Sequence, residues 1–286
     1  MFKRAFVGLL KPRLEYTALE DSPSVPKDIP SPKQLTFLMD FDMDSKELAV
    51  PKQGDAILAG NKMLSEEQEA LPVIFPATGT VAAVAPFTGD FGRSLTSVTI
   101  DCTSKDDASD QDTQAITADI SLDDATACFE TIPGAPCLKR FSDPEKKIST
   151  IVVMGVDSDV LVTTNQYIVY SKPDAIKAGI QALKNMTGVQ TVVMVVPSNL
   201  SAKASGVGAE IRMVGTQYPS ALPHAIMKDI LNQTLPAGKE PEDLGVCFMT
   251  AEAVASLGVA VESGRLPSRK TITVIAKDGA RQLVTA

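Results

Sequence analysis

The sequence predicts a mixed α/β protein in two parts, an all-β module followed by a sheet with helical crossovers. Two observations carry this. Between residues 48 and 101, short apolar runs alternate with turn signals at Gln53-Gly54-Asp55, Gly60-Asn61 and Thr88-Gly89-Asp90, as antiparallel strands require. From residue 148 onward, nearly continuous apolar runs alternate with segments of helical period, the pattern of a parallel sheet covered on both faces. A chain of 286 residues has room for two such domains.

Residues 1–44 are polar and proline-rich, and Pro23, Pro26, Pro30 and Pro32 favour an extended arm over helix. The apolar run near Met1 is broken at Lys11-Pro12, short of a secretory core, and no apolar stretch has the length of a membrane span. The expectation is a cytoplasmic chain. Residues 45–101 form the β module. Ala56–Ala59, Val73–Val84 and Ser97–Asp101 are its strands, the last alternating polar and apolar like a half-buried strand. A charged hairpin is expected near Ser65–Glu69. Residues 102–147 read as a linker, with an acidic run at Ser104–Thr113, a weak strand or helix over Ala118–Ala127, and a turn at Pro133–Pro136.

Residues 148–276 carry the alternation. Strands are expected at Ile148–Gly155, Thr191–Pro197, Ala209–Gly215, Gly245–Met249 and Lys270–Ala276. One helix opens at Ser171 and Pro173, buries Ile176, Ile180 and Leu183, and stops at Gly188. A second runs over about Leu222–Leu231. A third is capped by Thr250, ends at Gly264, and has Glu252 at its positive end. Residues 277–286 are a tail or the start of a further domain.

Charge and composition exclude several functions. Asp and Glu number 35 against 27 Lys and Arg, a net −8, which argues against nucleic acid as a partner. Cys102, Cys128, Cys137 and Cys247 lack the spacing of zinc or iron–sulfur ligands, and His224 is the sole histidine, so no metal site is expected. The Asp106–Asp112 run lacks the glycine and terminal glutamate of a calcium loop. Gly206-Val-Gly208 precedes a strand, not a helix, and reads as a turn. His224 reads as a surface or cap histidine. Cys137, beside Lys139 and Arg140, is either an activated thiol or a structural one. Asp157 and Asp159, at the carboxyl end of a strand, either line a pocket or end the strand in solvent.

The words Gly54-Asp55-x-Ile57 and Pro76-Ala-Thr-Gly79-Thr-Val81 occur in biotinyl and lipoyl carriers, but Gln68 or Glu69 stands where a carrier has its lysine. With Glu145-Lys-Lys-Ile148, Lys172-Pro-Asp-Ala-Ile176, Thr216-Gln-Tyr-Pro219, Asp243-Leu-Gly-Val246 and Glu262-Ser-Gly-Arg-Leu266, the chain resembles the C subunit of the Rnf electron-transport complex. It also resembles the A subunit of the sodium-pumping NADH:quinone reductase. The likeness covers residues 45–276 in order. It implies a barrel-sandwich hybrid module followed by a Rossmann-like domain similar to the flavin- and NADH-binding domain of respiratory complex I. FMN and NADH are the cofactors it implies, and Gly134, Lys139, Gly155, Asp157 and Asp159 the positions that would hold them.

Three departures fall at those positions. The loop Ile132–Arg140 keeps one glycine, and Pro133 and Pro136 remove two backbone donors. Gly155-Val-Asp157-Ser-Asp159 keeps only the charge. Where the family has Gly-Gly-Glu after Tyr-Pro, this chain has Ser220-Ala-Leu. The family's closely spaced iron–sulfur cysteines are absent from these residues. The resemblance therefore implies a peripheral docking subunit with a degenerate nucleotide site, bound to membrane subunits on the inner face of the cell membrane. The alternative is an active NADH dehydrogenase module, with bound FMN passing electrons to iron–sulfur centres outside this chain.

Overall fold

A computed structural model describes residues 14–30, 32–39, 51–58, 62–63, 73–75, 77–103, 116–117, 119–129, 132, 134–267 and 269–285. The charged hairpin near Ser65, the Gly60-Asn61 turn, the acidic run after Ser104 and the segment before Leu14 lie outside them. Two compact units result, one comprising residues 1–28, 115–129 and 134–286, the other residues 29–114 and 130–133. Residues 14–28, expected as part of the arm, fold with the α/β unit; they include β1 (Lys27–Asp28).

The smaller unit contains β2 (Gln34–Met39), β3 (Ala56–Ile57), β4 (Lys62–Met63), β5 (Val73–Ile74), β6 (Gly79–Thr88) and β7 (Ser94–Cys102). One antiparallel sheet has the order β2-β7-β6-β3, and β4 pairs with β5. Alternate residues Val98 and Ile100 point inward onto Met39, Ile57, Phe75 and Val81, and the Phe37 ring meets Phe75 edge-on at 5.4 Å. Gly79 is required by closeness: a Cβ there would lie 2.3 Å from the Asp101 carbonyl oxygen.

The larger unit continues with α1 (Leu122–Phe129), β8 (Thr150–Met154), α2 (Thr164–Ser171), α3 (Pro173–Thr187), β9 (Thr191–Val196), α4 (Ser201–Ala204), β10 (Glu210–Met213), α5 (Pro223–Asp229), β11 (Val246–Thr250), α6 (Ala251–Ser263), β12 (Thr271–Ile275) and β13 (Arg281–Thr285). Its main sheet is wholly parallel, in the order β10-β9-β8-β11. Ile151, Val152, Val153, Met194 and Val195 are fully buried, as a sheet covered on both faces demands. One face receives Tyr16, Val214, Ile226 and Met227. On α3 and α6, glycines meet glycine-sized gaps: a Cβ on Gly179 would lie 2.0 Å from the Val254 carbonyl oxygen, and one on Gly258 would lie 1.9 Å from that of Ala175. The two helices therefore cross backbone to backbone.

Two readings of the sequence need correction. Lys270–Ala276 does not close the parallel sheet. Its strand β12 pairs antiparallel with β13, which in turn takes up β1 in parallel. The reason is its one-sided pattern: Thr271 is buried while Ile272, Val274 and Ile275 are exposed, which suits a half-solvated sheet. Ser171 does not cap α3. It ends α2, donating its hydroxyl to the Tyr167 carbonyl at 2.8 Å, and Lys172 stands at the junction.

Candidate functional site

The strand order fixes where a ligand would approach. The chain moves from β8 outward through β9 to β10, then returns to place β11 on the other side of β8. Open α/β sheets bind ligands at such a reversal, outside the carboxyl ends of the strands. Here those ends carry Gly155 and Asp157 after β8 and Thr250 and Glu252 after β11.

Gly155 serves packing. A Cβ on it would lie 2.7 Å from Val196 Cγ1, and its N–H extends the sheet to the Val195 carbonyl at 2.8 Å. Asp157 is buried. Its Oδ1 accepts from Asn165 N at 2.9 Å and Asn165 Nδ2 at 3.0 Å, and its Oδ2 from Gln166 N at 3.4 Å. The carboxylate thus covers the opening amides of α2. Burial raises its pKa, and these same hydrogen bonds pull the other way. Asp159 Oδ1 accepts from Leu161 N at 2.9 Å, an exposed Asx turn.

Asn165 links this group to the next. Its Oδ1 accepts the Glu252 N–H at 3.2 Å, while Thr250 Oγ1 accepts the Ala253 N–H at 3.1 Å. Two opening amides of α6 are therefore held by the protein's own side chains. The Glu252 carboxylate pairs with Lys270 Nζ at 3.1 Å, its side chain only 12 % exposed. Burial raises its pKa, opposed by Lys270 and then by Lys172. Gly134, at φ +75°, lies on this pair: a Cβ there would be 1.8 Å from Lys270 Nζ and 3.3 Å from Glu252 Oε2. Gly134 and Asp157 thus belong to one connected array, with Asn165, Glu252 and Lys270 between them.

Lys139 lies elsewhere, in a cleft of about 850 Å³ with Arg140, Lys146, His224, Glu240 and Phe248 on its walls. There Arg140 Nη1 pairs with Glu242 Oε1 at 2.7 Å, and Lys146 Nζ with Glu240 Oε2 at 3.1 Å. Cys247, behind Arg140, is buried; that burial pushes its thiol up to about 11, against the pull of the guanidinium. Among the described residues no three His, Cys, Asp or Glu side chains gather as a metal site, and no helix is long and apolar enough to cross a membrane.

The array's missing members left weak traces in the sequence. Glu252 was legible as an acid at a helix start. Asn165 sits in Thr164-Asn-Gln-Tyr-Ile-Val-Tyr-Ser171, which is rich in β-branched and aromatic residues and gives no helical signal. Lys270 precedes a strand and carried none.

Residues 133–259 match the family model described as the Nuo51 FMN-binding domain. The C subunit of the ion-translocating oxidoreductase complex of Pectobacterium carotovorum is 22 % identical over 265 residues, covering 87 % of this chain and 36 % of that protein. Its counterpart from Klebsiella pneumoniae is 24 % identical over 248 residues, covering 80 % and 32 %. This chain is similar to these C subunits over most of its length. It spans about a third of the length of the relatives it matches. Among solved structures, the NAD+-reducing [NiFe]-hydrogenase in its air-oxidized state aligns over 53 % of this chain and 33 % of its own, at 15 % identity and a TM-score of 0.40. The H2-reduced state aligns over 54 % and 34 %, at 12 % identity and a TM-score of 0.42.

The matched description names FMN, whose phosphate requires free backbone donors and uncommitted positive charge. In this chain the start of α6 presents a mostly buried carboxylate, its Glu252 and Ala253 amides are satisfied internally, and Lys270 is already neutralised. These residues do not fit a flavin phosphate at the α6 N-terminus.

Proposed function

We propose that this chain is a peripheral component of an Rnf-type, membrane-associated electron-transport complex, where it acts by docking. The collinear similarity to C subunits over 87 % of the chain carries the reading. The docking role is supported by the Glu252–Lys270 pair under Gly134, which fills the start of α6 with a carboxylate. In this reading the β2–β7 unit, residues 29–114 and 130–133, is the barrel-sandwich hybrid of the family. The partners are membrane subunits on the inner face of the cell membrane.

The test has two arms. Tagged protein is isolated from its own cells in mild detergent, and the same purified protein is titrated with FMN and with NADH. Membrane redox subunits that copurify at a fixed ratio, with no saturable FMN binding at micromolar concentration, are expected. Tight stoichiometric flavin would overturn the docking role, and isolation free of membrane subunits would overturn the complex.

A second reading is favoured by one observation, the cations Lys172 and Lys270 beside Glu252. An active NADH dehydrogenase module would have to open the Glu252–Lys270 pair and turn both cations to an anionic cofactor, with Gly134, Gly155, Asp157 and Asp159 in supporting roles and Lys139 acting from its separate cleft. NADH-dependent reduction of ferricyanide by the flavin-supplemented chain separates this reading from docking.

A further inference from the structure

We propose that residues 14–19 are a built-in occupant of the crevice at the carboxyl edge of the parallel sheet, with the Tyr16 ring seated where a planar, uncharged heteroaromatic ligand would bind. The segment crosses the loops that leave three of the four strands. After β10, Tyr16 N donates to the Thr216 carbonyl at 2.8 Å and Tyr218 N to that of Leu14 at 2.9 Å. After β8, both Thr17 N and Thr17 Oγ1 donate to the Val160 carbonyl at 2.8 Å. After β9, Asn199 Nδ2 donates to the Leu19 carbonyl at 3.2 Å. Gln166, beside the Asp157 cap, holds the segment from below: its Nε2 donates to the Thr17 carbonyl at 2.8 Å and its Oε1 accepts the Leu19 N–H at 3.0 Å. Most of these bonds address backbone, as a groove grips an extended peptide.

The ring itself is the second observation. Tyr16 is 8 % exposed and packs with Met154, Val156, Val214, Ala221 and Met227, apolar walls that supply shape without polarity. The Tyr218 ring lies 6.1 Å away at 47°, a tilted aromatic neighbour. Yet the buried Tyr16 hydroxyl has no hydrogen-bond partner; the Ala221 backbone approaches it outside bonding geometry. A buried phenol ordinarily finds a partner, and a pocket matched to tyrosine would provide it. This pocket matches a flat ring and tolerates the hydroxyl. Its ligand class is phosphate-free, since the Glu252 carboxylate guards the start of α6. The inference stands apart from complex membership: copurification reports on docking, and the experiment below reports on the crevice.

The 286-residue chain has no tryptophan, so Tyr16→Trp installs a single fluorescent reporter. Acrylamide should quench that indole several-fold less in the folded chain than in urea. Gln166→Leu added to the reporter removes the hold on Thr17 and Leu19, and quenching should rise. With Tyr16 intact, Gln166→Leu should bind riboflavin, the probe, at least about tenfold more tightly than the parent, because an occupant closed more than nine-tenths of the time weakens apparent affinity by that factor. Thr17→Val, which removes the hydroxyl's bonds to the Val160 carbonyl and to the Arg281 guanidinium, should move affinity in the same direction by less and serves if Gln166→Leu fails to fold. Equal riboflavin affinity of parent and released chains, including none in either, would overturn the proposal. So would an indole as accessible folded as unfolded.

Discussion

Asp157 shows how a residue chosen for one kind of chemistry performs another. Its position at the end of β8 suits a ligand-facing acid, yet three N–H groups of Asn165 and Gln166 converge on it. Asp157→Ala leaves those donors in a buried site and is expected to cost about 2–3 kcal/mol of stability, measured by urea unfolding. Retention of parental stability would show that water can replace the carboxylate. Acid behaviour adds a second expectation. Burial raises the pKa of both Asp157 and Glu252, so each binds its proton more tightly folded than unfolded. Their contribution is therefore fully present below the ordinary carboxylate range and is lost as pH climbs through their raised values. Stability of the parent should carry this falling component between the two, and Glu252→Gln should flatten it. Urea midpoints across mildly acidic pH read the slope; an unchanged slope in Glu252→Gln would assign the effect elsewhere.

At the level of elements, the parallel strands and α3 and α6 were legible because periodicity reports burial directly. Ile176, Ile180 and Leu183 mark one face of α3, Gly188 ends it at φ +71°, and Thr250 caps α6 through Ala253 N. What stayed hidden was held by distant residues. Helix α2 exists because Asp157 caps it and tertiary packing buries Ile168 and Val169, and neither cause lies in its own sequence. The Gly134–Lys270 approach and the Asn165 bridge are likewise products of chain crossings separated by scores of residues. Nor does a glycine in mid-helix announce a partner. Gly258 reads as a flaw in α6, yet it admits the Ala175 carbonyl of α3. Gly258→Ala should raise intrinsic helix propensity and still destabilise the protein by about 1–3 kcal/mol, because the added methyl has nowhere to go without parting the helices. A thermal scan of the variant decides which effect wins; a rise in Tm would mean that α3 and α6 separate easily.

For the whole molecule, composition and period change together along the sequence, and the chain has one β-rich unit and one α/β unit. The sequence did not foretell that residues 14–28 return to the α/β unit, because extended backbone carries no mark of its docking place. Net charge is a property of this scale as well. With −8 overall, encounter with a partner of the kind proposed above would be governed by long-range attraction to any basic surface that partner offers. Such attraction acts over a Debye length of about 8 Å at physiological ionic strength and shrinks as salt is added. It enters the association rate far more than the dissociation rate, which short-range contacts set. Raising salt from about 0.05 M to about 0.5 M should slow association with detergent-solubilised membrane subunits by about tenfold and change dissociation by less than about twofold. Surface plasmon resonance with the membrane subunits immobilised separates the two rates. Association indifferent to salt would mean that docking proceeds through apolar contact alone, and that the acidic surface serves solubility.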